Sequence, residues 1–222
     1  MDMNNSKLYL TNIFIIDWDD TLFPTTWVNS NSINITNSDD LAKYKIYFLE
    51  LDKTISQLLE SLNKVGDIWI VTNASIRWIS SCLKILNSTR KTIIDNNVRI
   101  VSARDSYSKN NNSPTEWKIM TFQDIIQDII NKIANKVKPN TWINIISIGD
   151  AMYEYIALLN LDNFIKTYIK RINSNDFKYL LKNVKFIEKP EFSLIIDQMN
   201  VLNKNHSHII NKLEFIDLKF SS

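Results

Sequence analysis

The segment Asp17-Trp18-Asp19-Asp20-Thr21 places three carboxylates within four residues, directly after the apolar residues 13–16. Like charges this close repel one another, and they lose solvation at the edge of a sheet, so the arrangement is costly. In an extended chain the side chains of Asp17 and Asp19 point to the same side, roughly 6–7 Å apart. This spacing suits a divalent cation and two carboxylates with separate chemical roles. An acidic turn in which one aspartate caps a helix is the alternative interpretation.

Polar residues also follow two other apolar runs of the sequence. Thr72 and Asn73 end one run, and Asp150 ends another, with Glu154 four residues further on. In a helix that begins there, the carboxylates of Asp150 and Glu154 lie on the same side of the first turn. Each pair also has an ordinary structural explanation, because Thr and Asn are common in turns and acidic residues favour helix starts.

Lys118 lies near the beginning of a predicted helix. Ser113, Pro114 and Glu116 have the residue types of the N-cap, the first position and the third position of a capping box. The helix dipole disfavours a cation in the first turns, so a lysine there is easier to understand if anionic groups lie opposite it. A solvated lysine is the ordinary alternative.

Strand and helix patterns alternate along the chain. They predict a Rossmann-like three-layer α/β fold with a mostly parallel sheet of five or six strands and helices on both faces. The predicted strands are residues 13–16, 67–71, 98–101, 143–148 and 164–169, with a weaker sixth at 184–187. The predicted helices are an amphipathic segment at 44–62, capped by Ser38, Asp39 and Asp40, and residues 76–86, 117–137, 151–159 and 191–202. Ligands of such sheets bind at the carboxyl ends of the strands, where the polar residues described above lie.

The composition narrows the possible chemistry. The 222 residues, 45% of them apolar, predict one folded domain, with a core at about 12–170 and a C-terminal extension, 171–222, that packs on it. Two glycines exclude a glycine-rich dinucleotide loop, while one cysteine and two histidines disfavour cysteine-rich metal sites and histidine-based catalytic pairs. The net charge of +2 gives no general attraction to nucleic acid. Because we find no membrane-spanning run and no signal peptide, we expect a soluble cytoplasmic protein.

The polar segments, in this order, resemble the four motifs of the haloacid dehalogenase-like (HAD) superfamily. The matching residues are Asp17-Trp18-Asp19-Asp20-Thr21, Thr72, Lys118, and Gly149-Asp150 with Glu154. The resemblance extends from residue 13 to about residue 169. The stretch 18–27 is similar to an uncharacterised branch of these proteins from protists and large viruses. The fourth motif of the family often has a second aspartate where this chain has Glu154.

This resemblance implies a HAD-like fold with a minimal cap and a Mg²⁺-dependent phosphatase activity. Asp17 would be the nucleophile that forms an aspartyl-phosphate, and Asp19 would be the general acid and base. Thr72 and Lys118 would bind the phosphoryl oxygens. The expected Mg²⁺ ligands are Asp17, Asp19 through its main-chain carbonyl, Asp150, and Glu154 in or just outside the coordination sphere.

The expected substrate is a bulky or macromolecular phosphomonoester such as a phosphoprotein, because the loops around the predicted site are short. Asn73, Trp18 and Arg104 are expected to contact this substrate, although tryptophans near the site, including Trp78, have core packing as an alternative role. A nucleotide or polynucleotide end is the alternative substrate class. The non-enzymatic alternative is a HAD-fold protein that binds phosphate and Mg²⁺, or acts as a scaffold, with negligible turnover.

Overall fold

Six parallel strands form one sheet in the computed structural model of the protein, which describes residues 9–109, 113–134, 141–172 and 178–221. The order of the strands across the sheet is β3-β2-β1-β4-β5-β6. The strands are β1 (Tyr9–Ile16), β2 (Asp67–Thr72), β3 (Arg99–Ser102), β4 (Thr141–Gly149), β5 (Lys178–Lys185) and β6 (Ile216–Lys219). The helices are α1 (Thr25–Ser30), α2 (Ser38–Lys43), α3 (Lys45–Asn63), α4 (Ile76–Ile85), α5 (Asn87–Asp95), α6 (Ala103–Tyr107), α7 (Pro114–Ala134), α8 (Met152–Arg171) and α9 (Phe192–Asn211).

Both faces of the sheet are covered, which explains why the central strands are apolar at nearly every position. Successive residues of a strand point to opposite faces. Phe14 and Ile16 of β1 therefore join a core with α3, α4 and α9, whereas Ile13 and Ile15 join a second core with α7 and α8. The predicted Rossmann-like three-layer α/β fold is thus confirmed.

The strand predicted at 164–169 is wrong, because these residues belong to α8, which continues to Arg171. Leu158, Leu161 and Ile165 are fully buried and recur at steps of three and four, the spacing of one helix face. The short apolar run that suggested a strand is equally compatible with a buried helix. The fifth strand is instead β5, which overlaps the weaker prediction at 184–187 only at its end.

Other helix boundaries also differ from the predicted ones. Residues 38–43 form a separate short helix whose N-cap is Asn37, not Ser38, and the amphipathic helix begins only at Lys45. The helices predicted at 151–159 and 191–202 are longer, since α8 and α9 each have 20 residues. The helix predicted at 117–137 begins three residues earlier at Pro114, and residues 135–137 lie outside the described residues.

The C-terminal part of the chain contributes two strands to the sheet and one helix to its cover. Lys182 of β5 is fully buried, and its ammonium donates hydrogen bonds to the carbonyls of Ile209, Ile210 and Lys212 at the end of α9. These three bonds satisfy carbonyls that a helix end leaves without partners. Lys182 therefore fixes the end of α9 to the sheet.

The strand order defines where a ligand would bind. The chain moves outward from β1 through β2 to β3, and β4 then pairs with the other side of β1. The point where the strand order reverses lies between β1 and β4, and it is the usual ligand site in open parallel sheets. Asp17 follows β1 and Asp150 follows β4, so both carboxylates lie at this point.

Among the described residues, no helix is both long and apolar enough to cross a membrane.

Candidate active site

Asp17 lies at the switch point of the sheet, which is the place between β1 and β4 where the strand order reverses. Its amide donates a hydrogen bond of 2.9 Å to the carbonyl of Ile148, which continues the pairing of β1 with β4 by one residue. Asp17 is 7% exposed, and its carboxylate accepts a bond of 2.5 Å from the ammonium of Lys118. Burial raises the pKa of Asp17 well above its ordinary value, and Lys118 opposes this shift. Nearby carboxylates, led by Glu154, raise the pKa further.

Lys118 is a buried cation that joins three chain segments. Besides Asp17, its ammonium contacts Oε1 of Glu154 at 2.8 Å and the carbonyl of Val71 at 2.6 Å. Although burial alone would lower the pKa of Lys118, the two carboxylates raise it above its ordinary value. These contacts explain why a lysine is tolerated near the beginning of α7, where the helix dipole disfavours a cation. The expectation that anionic groups face Lys118 is confirmed.

Asp150 and Glu154 form the second carboxylate pair, at the beginning of α8. Thr21 orders Asp150, because its hydroxyl accepts a bond of 3.0 Å from the Asp150 amide and donates one of 3.3 Å to Oδ1. Burial, followed by the nearby carboxylates of Glu154 and Asp20, raises the pKa of Asp150 to about 7. A cation bound beside Asp150 would weaken the repulsion among these carboxylates and would thus lower the pKa of Asp150.

Gly149 gives Glu154 the space to reach Lys118. A Cβ atom at position 149 would lie 2.5 Å from Cγ and 2.8 Å from Oε2 of Glu154, so any larger residue would displace this side chain. Glu154 is 3% exposed, and its Oε2 is buried without a hydrogen-bond partner. A buried acceptor without a partner is unfavourable unless a further group is bound there.

Asp19 points to a different wall of the site from Asp17. Its Oδ1 accepts bonds from Thr25 Oγ1 at 2.5 Å and Trp78 Nε1 at 3.0 Å, and its Oδ2 accepts one from Thr72 Oγ1 at 3.1 Å. The Thr72 hydroxyl also accepts the amide of Ala74 at 2.9 Å, which fixes its orientation. Sequence reasoning missed Thr25 and Trp78 as partners of Asp19. The two threonines directly after Phe23-Pro24 are the sequence signal that could have indicated the hydroxyl partner.

Trp18 does not have the substrate contact expected from the sequence. Its ring is fully buried and stacks on Phe23 with centroids 6.0 Å apart, so it lies in the core beneath the site. A tight turn after β1 produces this position, with Asp20 at a φ of 55° and the Leu22 amide bonded to the Trp18 carbonyl at 2.9 Å. The carboxylate of Asp20 is held by the amide and hydroxyl of Thr26, at 2.7 and 2.5 Å.

The remaining predicted residues line one continuous cleft. A central cavity of about 170 Å³ contains the side chains predicted to carry the chemistry. Its lining includes Asp17, Asp19, Asn73, Lys118, Asp150 and Glu154, together with Asp20, Ala151 and Tyr153. Arg104 lines a neighbouring cavity of about 490 Å³ that shares Asp19 and Asn73 with the central one. Thr72 is fully buried and reaches the cleft through its bond to Asp19.

Lys185 is a further cation near the site that sequence reasoning missed. Its ammonium donates to the main-chain carbonyl of Asp150 and pairs with Glu188 Oε1 at 3.0 Å. It lies at the end of β5, a strand predicted from the sequence only at its final residues. Because that strand was not recognised, nothing in the sequence indicated that Lys185 would lie beside Asp150.

The carboxylates suit a hard cation in their chemistry. An all-oxygen donor set is what Mg²⁺ prefers, and the unpartnered Oε2 of Glu154 is an available acceptor. Within the described residues, however, no group of three or more His, Cys, Asp or Glu side chains is already arranged to hold a metal. The predicted ligands Asp17, Asp150 and Glu154 therefore lie near one another without forming an assembled coordination sphere, and Mg²⁺ binding stays a prediction.

Comparison with known proteins gives no identification. No protein-family model matches the chain, and no curated protein matches it significantly. The resemblance to HAD proteins therefore depends on the motif residues and on their position in this fold.

Proposed function

We propose that the protein is a Mg²⁺-dependent phosphomonoester hydrolase of the HAD type, acting through an aspartyl-phosphate on Asp17. One observation carries the proposal: Asp17 and Lys118 are bonded at the switch point of the sheet, in a cavity that also contains Asp19, Asp150 and Glu154. A nucleophile, a cation for the phosphoryl oxygens and a separate acid are the groups that phosphoryl transfer through a carboxylate needs.

In the first step, Asp17 would attack phosphorus, so that one phosphorus–oxygen bond forms while the bond to the leaving oxygen breaks. Asp19 would protonate that oxygen and would later deprotonate the water that attacks the aspartyl-phosphate. Lys118, with the Thr72 hydroxyl, would stabilise the charge on the phosphoryl oxygens. Bound Mg²⁺ would supply further charge neutralisation, with Asp17, the Asp19 carbonyl and Asp150 as its expected ligands and Glu154 beside it.

The cleft favours bulky substrates in this proposal. Only the short helices α1 and α2 precede α3 after β1, and only α6 directly follows β3 among the described residues. Neither connection forms a large cap over the carboxyl edge of the sheet in the part of the chain that the structure describes. A phosphorylated macromolecule could therefore present its phosphoryl group to Asp17 without being enclosed.

The decisive experiment compares the parent protein with Asp17→Asn, using p-nitrophenyl phosphate with and without Mg²⁺. We expect the variant to lose at least about a thousandfold in kcat because the nucleophile is absent. Asp128→Asn, which changes an exposed aspartate of α7, is the matched control and should keep the parent rate. Acid-quenched parent protein should carry a phosphoryl group on the peptide that contains residue 17, as identified by mass spectrometry.

A non-enzymatic function is the second candidate, because the ammonium of Lys118 is already engaged by Asp17, Glu154 and the carbonyl of Val71. In this alternative the protein binds phosphate and Mg²⁺, or acts as a scaffold, with negligible turnover. Calorimetric binding of Mg²⁺ and phosphate, combined with no hydrolysis across a broad panel of phosphomonoesters, would favour this candidate.

Parent-like hydrolysis by Asp17→Asn would remove Asp17 from the nucleophile role.

A further inference from the structure

Two further cavities share lining residues with the central cavity and form two arms of the cleft. We name the one lined by Arg104 the leaving-group arm. Its lining residues are Asp19, Thr25, Asn29, Asn73, Ala74, Ser75, Trp78 and Arg104. We name the other the acidic arm, a cavity of about 360 Å³ that shares Asp20, Asp150, Ala151 and Tyr153 with the central cavity. A substrate bound at Asp17 could extend its leaving group along either arm.

The acidic arm is unsuited to an anionic group. Three carboxylates line it, from Asp20, Asp150 and Glu188, against the ammonium of Lys189, and Lys185 beside this lining pairs with Glu188. Close like charges repel strongly where solvent is partly excluded. An anionic leaving group would therefore be repelled from this side of the cleft.

The leaving-group arm has the opposite character. Its one carboxylate, Asp19, already accepts hydrogen bonds from Thr25, Trp78 and Thr72. The other charged side chain of the lining is Arg104, which is exposed and forms no ion pair with the described carboxylates. A guanidinium that is not engaged by a carboxylate can bind another carboxylate or a phosphate through two parallel hydrogen bonds.

The position of Asp19 also indicates that the leaving group extends toward Arg104. As the proposed acid, Asp19 must face the oxygen that leaves phosphorus, and its carboxylate lies at the border between the central cavity and the leaving-group arm. Asn29, Asn73 and Ser75 add uncharged polar groups along this arm. The leaving group would thus pass Asp19 first and reach Arg104 beyond it.

We infer that this arm binds the leaving group and selects phosphomonoesters that carry a second anionic group, a carboxylate or a phosphate, beyond the scissile bond. This inference depends on the proposed function, since it assigns a leaving group to the same site. Arg104 is the specificity-determining residue. The anionic group could belong to a small metabolite or to an acidic residue beside a phosphorylated side chain.

The test measures binding, so it does not depend on turnover. Dissociation constants are determined by calorimetry on the Asp17→Asn protein with Mg²⁺ at low ionic strength. Two matched pairs of ligands are compared: glycerol 3-phosphate with 3-phosphoglycerate, and a phosphoserine peptide carrying Asn with the same peptide carrying Asp next to the phosphoserine. We expect the ligand with the second anion to bind about tenfold more tightly in at least one pair.

Arg104→Gln, added to Asp17→Asn, should bring that ratio close to one. Arg77→Gln is the matched control, because Arg77 is an exposed arginine of α4 that does not line the arm, and it should leave the ratio unchanged. The pair that shows the larger ratio identifies the source of the anion. Equal binding within both pairs, or a preference that survives Arg104→Gln, overturns the inference. Absence of hydrolysis by the parent protein overturns the proposed function separately.

Discussion

Replacing Lys118 by methionine should destabilise the protein strongly. The ammonium of Lys118 is the cation bonded to Asp17 at 2.5 Å and to Glu154 at 2.8 Å, and the three side chains are 1–8% exposed. Methionine has a similar volume but no charge, so the two carboxylates would remain buried without a partner. Removal of one member of a buried ion pair typically costs about 3–5 kcal/mol of folding free energy. For a domain of this size that corresponds to a fall in Tm of roughly 6–20 °C.

The matched control is Lys132→Met on the same helix. Lys132 pairs with Asp128 at the same distance of 2.5 Å, but these side chains are 62% and 48% exposed. Exposed pairs four residues apart contribute only about 0.3–0.5 kcal/mol, since water screens the charges. The comparison therefore holds the distance and the residue type constant and varies burial. Urea unfolding with a metal chelator present measures both variants without a contribution from bound cations.

The loss caused by Lys118→Met should also depend on pH. The pKa of Asp17 is already raised by burial, and removing the ammonium that opposes this shift raises it further. A raised pKa lets the folded variant take up a proton as the pH falls, which relieves the unpaired charge. The difference in unfolding free energy between parent and variant should then be smaller at pH 5 than at pH 8. Adding Glu154→Gln to Lys118→Met should recover part of the lost stability.

A result in which Lys118→Met costs no more than Lys132→Met would refute this reasoning. It would mean that water reaches the carboxylates of Asp17 and Glu154 freely. In that case the buried cation would not be available to stabilise charge on a phosphoryl group, and the electrostatic part of the proposed mechanism would fail as well.

Two further substitutions test the packing around the site and the fold. Gly149→Ala should reduce kcat at least about tenfold on any hydrolysed substrate, because the added Cβ would displace Glu154 from Lys118. Unchanged kinetics would show that Glu154 is not needed in this position. Lys182→Met should lower the unfolding free energy by more than about 2 kcal/mol, because it removes three hydrogen bonds at the end of α9 and leaves the carbonyls of Ile209 and Lys212 without this donor. Burial lowers the pKa of Lys182 from 10.5 to about 8, so the unfolded state binds more protons between these values. The unfolding free energy of the parent, relative to that of Lys182→Met, should therefore rise as the pH increases from about 8 to 10.5. Parallel pH profiles of the two proteins in urea unfolding would contradict this prediction.

The residues of the candidate site could be predicted from the sequence because their signals are local. Asp17 and Asp150 directly follow apolar strands and Thr72 ends one, and parallel strands bring their carboxyl ends to one edge of the sheet. Lys118 was identified by a similar local pattern, the helix start marked by Ser113 and Pro114. No contact between distant segments is needed to recognise these features.

Only the tertiary structure decided which of these side chains are buried and which hydrogen-bond partners they have. Trp18 has the sequence context of a loop beside the site, yet the turn at Asp20 directs its ring into the core. The three partners of Asp19 come from separate segments, and Arg104 reaches the cleft only because α6 follows β3 closely. The sequence alone determined which side chains come to the edge of the sheet, because strand and helix patterns are properties of neighbouring residues. Which way these side chains turn there depends on packing between segments that are far apart in the chain, as in the bonds of Asp17 with Lys118 and of Thr21 with Asp150.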